Sequence, residues 1–353
     1  MTDDYVKLTC YFGERHRAEH RFLAEALAEL YADAAVAVSV VLRGIASFGP
    51  RHHLRTDRSL SLSEDPPIVV TAVDTAHKME GLAQQAVAMT TNGLVTLERV
   101  RPADRFDATT AETVTLTVYV GRYDKAARQP AHRAACDILY RHGFASATAF
   151  LGVDGTRLGR RQQARFFSRN RHVPIMITAT GEATLVDDAM SALRAVLDDP
   201  VMTVERAQLC KRDGRLLARP TVLPPADEHG LPLSQKLTIR TSEATLYDGV
   251  PIHRALVRRL HDSAAVSGAT ALRGIWGFHG DHKPHGDKLI QLARQVPVST
   301  VIVDAPERIA ACFAIVDEVT AEHGLVTSEV VPAAVSIDDG DRLGGTRLAR
   351  HNL

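Results

Sequence analysis

At 353 residues the chain is too long for one ordinary hydrophobic core and suits two or three domains. Its 45% hydrophobic and 24% charged residues are a globular mix, and 42 basic residues balance 42 acidic ones, which argues against a general nucleic-acid binder. Aromatic residues are only 5%, so the cores have to be built mainly from Ala, Val, Leu and Ile.

The N-terminal MTDDYVKLTCYFGERH has no basic segment followed by an apolar core and does not read as a signal peptide. The longest apolar stretch, residues 34–42, is far short of the ~20 residues of a membrane span, so a cytoplasmic protein is expected. Residues 7–11 (KLTCY) form a strand pattern, and Leu23, Leu27 and Leu30 then share one helical face. A second strand pattern lies at residues 41–45 (VLRGI). The third begins at residues 67–70 (PIVV) and stays apolar on both faces through Val73. Thr75 is placed to cap a helix bearing Met79, Leu82, Ala83, Ala86 and Val87, and residues 93–98 (GLVTLE) close the unit.

The same four blocks then recur, in order and at nearly constant spacing. They are TLTVY, AFLGV, PIMI and PVMTVE at residues 115–119, 149–153, 174–177 and 200–205. They return as KLTIR, ALRGI, PVST and GLVTSE at residues 236–240, 271–275, 297–300 and 324–329. In the third copy Ile252, Leu256 and Leu260 repeat the first helix face, and Ile309, Cys312, Phe313 and Val316 the second. Each copy reads β-α-β-β-α-β, the ferredoxin-like plan, an α+β fold. The boundaries predicted are 1–102, 113–210 and 235–335. A stiff linker is expected over 211–234, with Pro220, Pro224, Pro225, Gly230 and Pro232, and a loosely ordered tail over 336–353. Helices cover one sheet face, which leaves three apolar faces to bury one another around a threefold axis as a single-chain pseudo-trimer. The alternative is three independent beads.

The connections over residues 46–65, 154–172 and 276–295 are long for a compact domain. They carry Arg51, His52, His53, Arg55 and Arg58; then Arg157, Arg160, Arg161, Arg165, Arg169 and Arg171; then His279, His282, Lys283, His285 and Lys288. Such a set suits phosphate or an acidic partner surface, although solvated loop charge explains any single member. Gly44 and Gly274 permit close backbone approach. Arg43 and Arg273 either project toward a neighbouring cleft or pair with a carboxylate. His279, His282 and His285 are weak metal-ligand candidates, because their spacing matches no zinc template. Glu14, Glu64 and Asp65 are acidic candidates, but no catalytic constellation is present and an enzyme is not expected. Cys10, Cys136, Cys210 and Cys312 are scattered and read as buried free thiols.

The first copy, with residues 13–15 (GER), 42–49 (LRGIASFG), 62–67 (LSEDPP) and 93–97 (GLVTL), resembles the PII-like proteins called domain of unknown function 190. The third copy keeps residues 272–278 (LRGIWGF). The second departs from the pattern: Leu151 stands in place of the arginine, Arg122 in place of Glu14, and the Phe-Gly pair is absent. The resemblance implies a signalling protein whose inter-domain clefts bind a small anion such as an adenine nucleotide. Its loops would report occupancy to a membrane transporter or another protein, with no resident cofactor. The cleft residues it implies are Gly13, Glu14, Arg43, Gly44, Phe48, Gly49, Arg273, Gly274 and Phe278, joined by Arg160 and Arg161. Competing readings are a metal-binding protein of copper-tolerance type and an adaptor with empty clefts.

Overall fold

The computed structural model describes residues 4–51, 53–56, 65–126, 128–161, 173–280, 283–286 and 296–351. Among them are six α-helices and a large antiparallel sheet network. The first repeat contains β1 (Tyr5–Gly13), α1 (Leu23–Asp33), β2 (Val38–Arg43), β3 (Ala46–Phe48), β4 (Pro67–Thr75), α2 (Ala76–Met89) and β5 (Gly93–Pro102). Its strands lie in the order β5-β1-β4-β2, with Leu8 opposite Ala72 on one side and Leu97 on the other.

The second repeat follows the same course through β6 (Thr113–Gly121), α3 (Ala131–Arg141), β7 (Ser146–Leu151), β8 (Asp154–Arg157), β9 (Pro174–Glu182), α4 (Val186–Val196) and β10 (Val201–Arg212). The third runs through β11 (Ser234–Ser242), α5 (Ile252–Ser263), β12 (Ala269–Arg273), β13 (Trp276–His279), β14 (Pro297–Asp304), α6 (Pro306–Val319) and β15 (Leu325–Val331). Their central strands pair in the corresponding order.

Each repeat therefore has one strand more than its sequence pattern shows, and that strand leaves home. β3 pairs with β12 of the third repeat, β13 with β7 of the second, and β8 with β2 of the first, so the exchanges return to their start. One glycine sits at each crossing. The N–H of Gly44, Gly152 and Gly274 bonds within its own repeat, to Pro67, Pro174 and Pro297. The next N–H, of Ile45, Val153 or Ile275, bonds to the neighbouring repeat at Ala271, Val41 or Ala149.

Packing follows the exchange. Phe278 belongs to the core of the second repeat, and Ile45, Ala46 and Phe48 to that of the third. The apolar run of β4 is buried from Pro67 to Asp74. Its outer face joins a further cluster in which Leu42, Val69, Tyr119, Phe150, Met176 and Leu272 bring all three repeats together.

Two boundaries differ from the sequence reading. The expected loose tail, over its described residues 336–351, is ordered instead: β16 (Ala333–Asp338) pairs with β5, β17 (Asp341–Gly344) folds back on β16, and Val335, Ile337 and Ala349 are buried. The glycines that suggested looseness serve this tight hairpin, where Asp339 and Gly340 both have positive φ. The linker also starts later than residue 211, because Lys211 lies in β10 with its Nζ buried against the end of α6, bonding to Asp317 and the Thr320 carbonyl. All four cysteines are free and buried, and burial pushes the Cys10, Cys210 and Cys312 thiols up to about 12. No described helix is long and apolar enough to cross a membrane.

Candidate functional site: a cleft between the first and third repeats

A cavity of about 540 Å³ opens where β3 crosses onto the third repeat. Phe12 and Leu94 of the first repeat and Val301 and Val303 of the third give it apolar walls. Linker residues Pro225 and Pro232 and hairpin residues Ile337 and Leu343 cover it. The N-terminal end of α6, Ala305 to Glu307, also faces it and brings the positive end of a helix dipole.

The basic lining residues His16, Arg51, His53 and Arg55 come from the first repeat, whereas the third supplies Asp304 and Glu307 and the hairpin Asp338. The Asp65 carboxylate is an anchor: it accepts from the Arg15 N–H at 2.7 Å and from Arg55 Nε at 3.2 Å, and lies 3.9 Å from His16 Nε2. Gly13 leaves room for it, since a Cβ there would meet that carboxylate at 2.0 Å and displace it. His16 Nδ1 lies 3.0 Å from the Asn92 carbonyl, and burial lowers its pKa despite the attraction of Asp65. Arg51 reaches across to the hairpin, donating to Asp338 at 2.6 Å and lying 3.4 Å from Asp339. These carboxylates raise the Arg51 pKa further. Because Arg51 and Asp338 are about half exposed, 47% and 48%, the pair is readily exchanged.

Of the residues singled out in the sequence, Gly13, Phe48, Gly49, Arg51, His53 and Arg55 meet at this cleft. Phe48 is 3% exposed and packs edge-on against His261 with centroids 5.5 Å apart, so it serves the wall and the core together. Glu14, Arg43 and Gly44 are not among the lining residues. The Arg43 guanidinium instead pairs with Glu14 at 2.8 Å within its own repeat. Arg273 does the same with Glu243, through two bonds of 2.9 and 2.6 Å, and Gly274 is a crossing glycine. The second repeat has lost both halves of this pair, since Arg122 and Leu151 stand in the two positions. Phe278 packs against Tyr140 in the second core.

Arg161 pairs with Asp154 at 2.8 Å, exposed Arg160 sits opposite Arg157, and Arg157 binds Asp124 at 2.7 Å. His279 ends β13, while His285 Nδ1 lies 2.9 Å from the Lys283 carbonyl. His52, Arg58, Glu64, Arg165, Arg169, Arg171, His282 and Lys288 lie outside the described residues.

Sequence reasoning missed a second polar centre, where the three repeats meet. Glu98, Glu205 and Glu329, the matching last residues of the fourth block, bring their carboxylates within 4.8 Å of one another. Ammonium groups occupy the spaces between them. Lys7 binds Glu205 at 2.5 Å and lies 3.4 Å from Glu98; Lys236 bonds Glu98 and lies 2.6 Å from Glu329. At the third equivalent position Thr115 stands instead and donates to Glu329 at 3.0 Å. Burial works against ionisation of Glu329, but Lys236 and Arg240 outweigh it and hold its carboxyl at about 2. For Glu205 burial prevails and the pKa rises. The signal was present in the recurring Lys and Glu of the first and fourth blocks, which alternation alone would have left on a solvated face.

Comparison with known proteins finds the same three repeats. The family model DUF190, described as Uncharacterized ACR, matches residues 5–102, 113–209 and 234–333. The chain belongs to DUF190. The repeats described above are thus three tandem DUF190 units, the middle one included. Among solved structures, an aspartate kinase from Synechocystis is 11% identical with a TM-score of 0.23, over 96% of this chain and 45% of the kinase. An anthrone oxidase-like protein is 10% identical with a TM-score of 0.17, over 57% of this chain and 90% of that one. The chain spans less than half the kinase's length, and likenesses at these scores carry no argument.

Proposed function

We propose that this DUF190 chain is a PII-like sensor: three ferredoxin-like units closed as a single-chain pseudo-trimer that binds one anionic small molecule, of the adenine nucleotide class. Support for the architecture comes from the shared strand order and the closed cycle of exchanged strands. The observation that carries the ligand reading is the cavity of about 540 Å³, which falls in the ~300–1,000 Å³ range of small-molecule sites and combines apolar walls with Arg51, Arg55, His16 and His53 on one side and Asp304, Glu307 and Asp338 on the other. An aromatic base suits the Phe12 and Leu94 wall. A phosphate suits Arg51, which gives up Asp338 to take it. That exchange also supplies a signal, since it frees the tip of the β16–β17 hairpin for a protein partner.

The test is calorimetric titration with ATP, ADP, AMP and cyclic nucleotides. One nucleotide class binding once per chain is expected. Arg51→Ala is expected to weaken it at least tenfold, while Arg43→Ala and Arg273→Ala leave it unchanged because those guanidinium groups already hold Glu14 and Glu243. No heat with any nucleotide, or a loss with Arg43→Ala equal to that with Arg51→Ala, would refute the reading.

A further inference from the structure

The first repeat sets an imidazole against the ion pair that anchors the outer cleft. His16 follows the turn after β1, where its N–H bonds to the Gly13 carbonyl and its own carbonyl accepts from Leu23 at the start of α1. The ring stacks on Phe12, with centroids 6.4 Å apart and planes at 21°, and lines the cleft. Its Nδ1 lies 3.0 Å from the Asn92 carbonyl, a group that only accepts, so Nδ1 carries the proton. In the neutral ring Nε2 is then a lone pair, and it faces Asp65 Oδ2 at 3.9 Å. That same oxygen takes Arg55 Nε at 3.2 Å, while Oδ1 takes the Arg15 N–H. A protonated His16 would therefore compete with Arg55 for one carboxylate oxygen.

The sister repeats build the same turn without this ring. Asp124 and Thr245 stand at the position of His16. Their N–H groups bond to Gly121 and Ser242, and their carbonyls accept from Ala131 and Ile252, as in the first repeat. In the second repeat the Asp124 carboxylate lies beside Gly121 as Asp65 lies beside Gly13, and it holds Arg157 at 2.7 Å. Thr245 carries no charge. Of the three repeats, only the first sets a group that titrates near neutrality against a carboxylate–guanidinium pair.

The charges facing His16 come from several elements. Burial does most to keep the ring neutral, Arg55 and Arg51 add to it, and Asp65 and the bond to Asn92 work the other way, so its pKa lies below the ordinary value. Arg51 is held by Asp338 and Asp339 of the hairpin, His53 also lines the cleft, and Asp304 and Glu307 stand on the third repeat's side. A proton on Nε2 turns that nitrogen into a donor, and closing the 3.9 Å gap by about 1 Å makes a charge-assisted bond to Asp65. Arg55 is the partner displaced, since its bond is long for its kind and its side chain is 25% exposed. Resting on the reading of the cleft as an anion site, we propose that His16 is a proton-operated positioning residue: on gaining a proton it takes Asp65 and releases Arg55 to the cleft, so that binding an anion takes up a proton. Arg55 already lines the cleft, so its release needs only a turn of the side chain. Affinity for an anion is then highest below the pH at which His16 titrates and falls as pH rises through it.

The first arm of the test needs no ligand. In the full chain labelled with nitrogen-15, the Arg55 Nε–H resonance is followed from pH 5 to 8. It is expected to move with the same midpoint as the His16 ring and to stay fixed in His16→Asn, whose amide keeps a donor for the Asn92 carbonyl. Asp65→Asn leaves Arg55 without its carboxylate at every pH; it is expected to fix the resonance too, and keeps the test open where His16→Asn fails to fold. In the second arm the chain is titrated with sulfate, whose charge is constant over this range. Binding about five- to tenfold tighter at pH 5.5 than at pH 8 is expected, with no such difference in His16→Asn. An Arg55 resonance that ignores pH in the natural chain overturns the proposal, as does sulfate that binds equally at both pH values or at neither. A moving Arg55 and pH-linked sulfate, with no heat from any nucleotide, would leave the switch standing and remove the nucleotide reading alone.

Discussion

Gly152 shows what a single missing methyl group does here. A Cβ at this crossing would lie 2.2 Å from the Pro174 carbonyl oxygen and 2.9 Å from Val40, the first of which is backbone and unable to yield. Gly49, by contrast, has nothing within 4 Å of such a Cβ. Gly152→Ala is therefore expected to cost about 1–3 kcal/mol in urea unfolding, the range for overpacking a tight site, with Gly49→Ala close to neutral. Titration of the axial carboxylates belongs to the same scale. The Glu329 carboxyl, at about 2 in the folded chain, lies below its unfolded value near 4.5. Its contribution is thus complete above the unfolded value and is lost as pH falls toward about 2. Glu205 is shifted the other way, so it favours the folded state at low pH and loses that contribution as pH rises through its raised value. Urea midpoints measured from pH 5 to 2 should fall steeply for the natural chain and less steeply for Glu329→Gln. Equal slopes would show that Glu329 is not held ionised by Lys236 and Arg240.

At the scale of elements, the C-terminal hairpin carries more than its sequence suggests. β16 extends the first repeat's sheet at β5 and delivers Ala333, Val335 and Ile337 into that repeat's core. Each Val or Ile so buried contributes about 1.5–3 kcal/mol. Ending the chain at residue 332 exposes the β5 edge as well, and a bare edge invites pairing with another copy. The truncated chain is expected to melt at lower temperature and to associate in size-exclusion chromatography; an unchanged melt would mean that the hairpin is an ornament. The hairpin also marks a limit of what the sequence could convey. Periodicity and the four recurring blocks specified the helices and the four central strands of each repeat, because one face of each packs within the copy that encodes it. The exchanged strands β3, β8 and β13 are three or four residues long, and their partners lie in another copy. No local pattern marks them except the glycine before each. The cleft was legible in part: Gly13, Phe48, Gly49 and the basic residues after them were visible, whereas the covering hairpin and linker come from distant chain. Arg43 and Arg273 had been open between a cleft and a carboxylate, and only the fold brings Glu14 and Glu243 within reach.

Across the whole molecule, carrying the three copies in one chain lets them differ while one shared centre constrains them. A centre built from three identical copies of the first repeat would hold three lysines and three glutamates, formally neutral. This chain reaches the same neutrality by another route: the second copy gives up its lysine for Thr115, and the third gains Arg240 where its sisters carry tyrosine. The two replacements lie in different repeats and both reach the carboxylates, Thr115 through its bond to Glu329 and Arg240 through its field at Glu329 and Glu205. They should therefore be coupled. Thr115→Lys alone leaves one buried positive charge in excess and Arg240→Tyr alone one negative, each expected to cost about 3–5 kcal/mol as an uncompensated buried charge. Together they recreate the alternating ring of three ammonium and three carboxylate groups. The double variant should be more stable than the sum of its parts predicts, with a coupling of about 0.5–3 kcal/mol in a double-mutant cycle measured by urea unfolding. Strict additivity would mean that the two substitutions arose independently of charge, and that the axis holds the repeats together through Leu42, Phe150 and Leu272 alone.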